Sequence, residues 1–141
     1  LPMPIFGAAA HGLRDSGAGK LSLPFKSLLK FDPAFGPVET QTTGDCVAHA
    51  TRNAIDITRA VEIDIAGERE EFVARGATES IYQSRPWSSE GMTCSGAARY
   101  VSEQGGILLR KDYGMIDLSV YNSKLGAKKM IPRQIYMQQN V

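Results

Sequence analysis

Val47, Ala50, Ala54, Ile57 and Val61 recur at three- and four-residue spacing, and no other stretch of this chain sustains a helical period so long. Asp45 stands where an N-cap belongs, so the spacing predicts a helix from Asp45 to about Ala60. Alanines on its apolar stripe point to a close-packed central helix. His49, Arg52, Asn53, Asp56 and Arg59 fall mostly off that stripe and are expected to face away from the core. Val61–Ile65 alternates apolar and acidic residues and is expected to leave the helix as an extended segment.

Cys46 opens this helix, directly after the loop Gln41-Thr42-Thr43-Gly44-Asp45. The positive end of a helix dipole favours a thiolate, the nucleophilic form of cysteine. A glutamine a few residues upstream can add a side-chain N–H to the backbone N–H of Cys46, which together form an oxyanion hole. The pattern marks Cys46 as a nucleophile and Gln41 as an oxyanion donor. A lone cysteine in an amphipathic helix is otherwise a small buried hydrophobe. An acyl-transfer site also needs a base, and two histidines are present. His49 follows Cys46 on the same helix surface, leaving little room for substrate between them, and His11 lies in an N-terminal arm.

Around this element the chain divides in two. Residues 1–37 form a Pro- and Gly-rich stretch expected to be an extended arm docked on another surface, with one helical turn at Ser27–Lys30. Residues 38–141 form the domain. Thr78–Tyr82 reads as a short helix capped by Thr78, followed by a loop around Trp87. Thr93 caps a second clear helix to about Glu103, which Gly105-Gly106 terminate. Ile107-Leu108-Leu109 reads as a short strand and Asp117–Tyr121 as a turn or helix, followed by a basic, mixed tail.

With 16 Lys and Arg against 15 Asp and Glu, the chain gives no electrostatic argument for nucleic acid or a membrane surface. No apolar run approaches the roughly 20 residues of a membrane span. Cys46 and Cys94 are too few for a disulfide framework and read as free thiols. Neither a cofactor nor a metal is called for, since no set of four ligands at zinc spacing is visible. The chain starts at Leu1, which suggests processing or a piece of something longer.

The run Gln41-x-x-Gly44-Asp45-Cys46-Val47-x-x-Ala50 resembles the nucleophile segment of papain-like cysteine peptidases. Gly91-Met92-Thr93-Cys94-Ser95-Gly96 through Gly105-Gly106-Ile107 is similar to the glycine-rich, helix, Gly-Gly-Ile passage of the same family, and Lys111-Asp112-Tyr113-Gly114 to its next strand entry. Thr78-Glu79-x-Ile81-Tyr82-x-Ser84-Arg85 with Asp117-Leu118-Ser119-x-Tyr121 looks like papain-like proteins of phages and some environmental bacteria. The resemblance covers about residues 38–115 and implies an α+β fold, mainly its helical N-terminal half with a central helix starting at the cysteine. It implies a thiol hydrolase with Cys46 and Gln41 catalytic, and Trp87, Gly91, Ser95 and Gly96 bordering a cleft for a protein or peptide. Three departures accompany it. The Gln-to-Cys spacing is one residue short, Val47 replaces an aromatic residue, and the family's histidine and asparagine belong to a region past residue 141. That base would come from a missing segment or another chain. The alternative is a papain-like scaffold without activity, a structural or binding protein of a phage virion gripping its neighbour through the arm.

Overall fold

The structure, a computed structural model, describes residues 19, 21–34 and 39–137. His11 and most of the expected arm lie outside the described residues. Among the described residues six helices follow in order: α1 (Phe25–Phe31), α2 (Cys46–Asp64), α3 (Thr78–Gln83), α4 (Cys94–Gln104), α5 (Ser123–Ala127) and α6 (Arg133–Tyr136). The helical turn expected at Ser27–Lys30 is the middle of α1. The extended segment expected at Val61–Ile65 is instead the last turn of α2, which ends where Gly67 takes a left-handed φ of 74°. α4 runs as the sequence suggests. Thr93 Oγ1 accepts from the Gly96 N–H at 3.0 Å, and Gly105 closes the helix at φ 72°.

Strand content falls short of the α+β expectation, while the expected predominance of helix holds among the described residues. Residues 75–77 run antiparallel to 108–110, with Ala77 N–H donating to Leu108 O at 2.8 Å and Arg110 N–H to Arg75 O at 2.7 Å. The pairing stays an isolated bridge between Gly76 and Leu109, because Thr78 begins α3 on one side. The expected strand at Ile107–Leu109 is therefore a single rung. A second bridge joins Asp112 to Asp117, and Asp117–Tyr121 carries no helix. Two short helices, α5 and α6, occupy the mixed tail.

α2 lies at the centre, packed by α1, α3 and α4, while α3 also packs on α5. One apolar cluster joins Ala48, Ile81, Tyr82, Ala97, Tyr100 and Ile107. A second joins Ala77, Leu108, Leu118, Ile131 and Ile135. The helix α2 turns an unexpected face inward. Arg52, Asp56, Arg59, Ala48 and Ala60 are buried, whereas Ala50 and Ala54 are exposed. Partners far along the chain account for this reversal. Asp56 accepts from Arg75 Nε at 2.7 Å and from the Gly76 N–H at 3.0 Å, and Arg52 pairs with Glu39 at 3.0 Å. A buried ion holds its place best when paired and hydrogen-bonded, and these distant groups supply that pairing for Arg52 and Asp56, while Arg59 lies 5.3 Å from the Phe72 ring centroid. Burial pushes the Asp56 carboxyl above its usual range, against the opposing pull of Arg75.

Candidate functional site

Cys46 is the first residue of a 19-residue helix and its thiol is exposed, not buried among aliphatic groups. The Asp45 side chain does not cap the helix, contrary to the sequence reading. Its carboxylate is buried and accepts instead from the Tyr121 O–H at 2.6 Å, with His49 Nε2 at 3.4 Å from the same oxygen. No described group accepts from the N–H of Cys46, Val47 or Ala48. The start of α2 therefore presents an exposed thiol beside the unbonded N–H groups of Cys46 and Val47, while Ala48 is fully buried.

The loop before Cys46 is folded tightly. Gln41 Nε2 donates to Thr43 O at 2.8 Å, and Thr42 Oγ1 bonds Ser123 Oγ at 2.7 Å. Thr43 Oγ1 donates to Glu90 Oε1 at 2.9 Å. Gly44 is pressed so close to the facing loop that a Cβ there would lie 3.1 Å from both Glu90 Cβ and Gly91 N. The loop before Cys46 and the loop bearing Trp87 and Gly91 thus meet. Trp87, half exposed, donates Nε1–H to Gly91 O at 3.0 Å, and the Gly91 N–H donates to Tyr82 Oη at 3.3 Å. Arg85 underpins this loop from inside the fold.

The other sequence-derived candidates lie apart. Ser95 and Gly96 line a cavity of about 700 Å³ with Arg99, Tyr100 and Tyr136. Gln41 and His49 line a different one, of about 710 Å³, with Arg52, Arg75 and Arg110. His49 keeps acidic company: Glu39 Oε2 lies 3.7 Å from Nδ1, Asp45 lies on the other side, and Tyr121 stands edge-on with ring centroids 5.1 Å apart. Cys94 is exposed and free at the start of α4.

Sequence reasoning missed the residues that anchor this region. Glu39 receives Arg110 Nε at 2.8 Å as well as Arg52. Burial alone would raise the Glu39 carboxyl, but the hydrogen bond and charge of Arg110, then Arg52, hold it below its usual range. Arg110 also donates Nη1–H to both oxygens of buried Glu79, at 2.9 and 2.7 Å, and Glu79 accepts the Asn122 N–H at 2.8 Å. That chain of contacts fixes residues 110–122 against the loop before Cys46. Nothing local in the sequence marks Tyr121 as the donor to Asp45 or Glu39 as the partner of Arg110.

Chemically, the arrangement offers a reachable sulfur, first-turn amides suited to an anionic oxygen, and a glutamine side chain whose N–H is engaged within its own loop. The described residues contain no cluster of three or more His, Cys, Asp or Glu able to hold a metal ion, and no described helix is long and apolar enough to cross a membrane. No protein-family model, curated protein or solved structure matches this chain.

Proposed function

We propose that this chain is the nucleophile-bearing part of a papain-like thiol hydrolase, a peptidase or amidase. The observation that carries the reading is the exposed Cys46 thiol at the head of α2 beside unbonded first-turn amides. Cys46 Sγ attacks the carbonyl carbon, the C=O electron pair moves onto oxygen, and the Cys46 N–H receives that oxyanion. Gln41 joins it by exchanging Thr43 O for the oxyanion. Collapse expels the amine, which takes up the proton released by the thiol, and water then hydrolyses the thioester. The base that carries the proton is an imidazole from another segment or polypeptide, because His49 is turned to Asp45 and Glu39. The contact of Gly44 with Glu90 and Gly91 supports a cleft wall on that side.

A second reading, a papain-like scaffold that binds or builds within a phage particle, is favoured by the Gln41–Thr43 hydrogen bond, which engages the amide N–H within its own loop. A peptidyl epoxide separates the two. The hydrolase reading expects stoichiometric labelling of Cys46 at neutral pH, faster than free cysteine and slowed in Gln41→Ala. Labelling at the free-cysteine rate, equal in both proteins, rejects it in favour of the scaffold.

A further inference from the structure

The cavity of about 700 Å³ beside α4 and α6 is lined by neither Cys46 nor Gln41. Its size is that of a small-molecule site, in which an apolar surface carries a few well-placed polar groups. Tyr100 and Tyr136 supply the aromatic surface, edge-on with ring centroids 6.2 Å apart. Burial above all pushes both phenols up, so they stay neutral beside an anion. α6 is fastened to α3 at each end. Gln83 donates Nε2–H to Ile131 O at 2.9 Å and accepts the Ile131 N–H at 2.8 Å, and Tyr136 donates its O–H to Ser80 O at 2.9 Å. Arg99 on α4 and Arg133 on α6 line the same cavity from two separately anchored helices. Both are exposed, and among the described residues neither makes a hydrogen bond or an ion pair, not even with Glu103 in the same lining. Arg52, Arg75, Arg85 and Arg110, by contrast, are spent on fixed acceptors.

We propose that this cavity binds a small phosphate monoester with a ring-sized body, its phosphate held between Arg99 and Arg133 and its ring laid against Tyr100 and Tyr136. A guanidinium offers a planar fork of N–H groups, and one such fork already satisfies both oxygens of a carboxylate. Two forks on different helices call for an anion with more oxygens, which the three terminal oxygens of a phosphate monoester supply. The Ser95 hydroxyl, engaged only at 3.4 Å with Thr93 Oγ1, adds a donor in the same lining. The site is independent of the chemistry at Cys46 and goes beyond it.

Isothermal titration with phenyl phosphate at about pH 7.5, where the monoester is a dianion, tests the assignment. Inorganic phosphate lacks the ring and benzoate lacks the third oxygen, so both serve as comparison probes. Phenyl phosphate should saturate one site per chain and bind more tightly than either. Arg99→Gln and Arg133→Gln should each weaken it about tenfold, the loss of one charge-assisted contact. Both side chains are exposed, so neither variant threatens the fold. Lys128→Gln removes an exposed cation outside the cavity and should leave binding unchanged. Absence of saturation below about 10 mM overturns the proposal. So does an equal loss in Lys128→Gln and the arginine variants, which marks general charge attraction. Benzoate or inorganic phosphate binding as tightly as phenyl phosphate overturns it too.

Discussion

Arg85 is 2% exposed and places all its donors on backbone carbonyls: Nε on Ser89 O at 2.9 Å, Nη1 on Tyr82 O and Gly126 O at 3.0 and 3.2 Å, and Nη2 on Ser88 O and Ala127 O at 3.2 and 2.8 Å. Its guanidinium also stacks 3.9 Å from the Tyr82 ring centroid. Among the described residues no acidic side chain pairs with it, and carbonyl dipoles meet the charge. Replacing it with methionine keeps the length and deletes every donor. Ser88 O, Ser89 O and Ala127 O then lose their one described donor. Each unmet acceptor costs about 1 kcal/mol at the low end, where water reaches in. The lost ring contact adds about 1–2 kcal/mol when desolvated. The expected loss is about 4–5 kcal/mol, or roughly 12–20 °C in Tm for a chain of this size. Urea unfolding measures it, and the fluorescence of Trp87, the single tryptophan, reports the same loop directly. Arg85→Lys should recover little, since an ammonium has three donors radiating from one atom against a planar fork of five. An Arg85→Met variant within about 1 kcal/mol of wild type, or an Arg85→Lys variant equal to it, would refute the reasoning.

Two further outcomes follow from the ionic face of α2. Gly76→Ala places a methyl against Ile107 Cδ1 and 3.0 Å from Arg52 Cγ, so chemical denaturation should show a loss of about 1–3 kcal/mol. Glu39, whose carboxyl sits below its ordinary value of 4.5, holds a proton less tightly folded than unfolded. Its contribution is complete above that ordinary value and is lost as pH falls through the lowered folded value. Asp56, shifted upward, works in the opposite sense. Glu39→Gln should therefore flatten the acid side of a stability profile taken by urea midpoints between about pH 3 and 7, and an unchanged slope counts against the Arg110–Glu39 assignment.

The two longest helices were legible because each announces itself locally. Thr93 and Gly105 bracket α4 with side-chain and left-handed caps, and the period of α2 runs through nearly its whole length. The loop leading to Cys46 was legible as well, as a glycine and an acid before a helix. What escaped the sequence is non-local. Ala50 and Ala54 read as core, yet they face outward because Arg75, Gly76 and Glu39 make the charged side the buried one. Asp45 reads as a cap because the Tyr121 hydroxyl that diverts it lies far along the chain. Ile107–Leu109 reads as a strand, but its partner segment has only the few residues before α3 to offer. Periodicity reports what a segment prefers alone and is silent on ions brought to it by folding.

The inward charges of α2 also give the helix a single rotational setting. Arg52 reaches Glu39, and Asp56 reaches Arg75 and Gly76, on two segments that flank the helix in sequence. Rolling the cylinder by one residue would strand an ion in the interior, at roughly 3–5 kcal/mol for each pair broken. A purely aliphatic seam of alanines and valines would tolerate such slippage far more readily. The direction in which the sulfur at its tip looks out is thus locked from within, by residues one and a half to three turns away that never approach it.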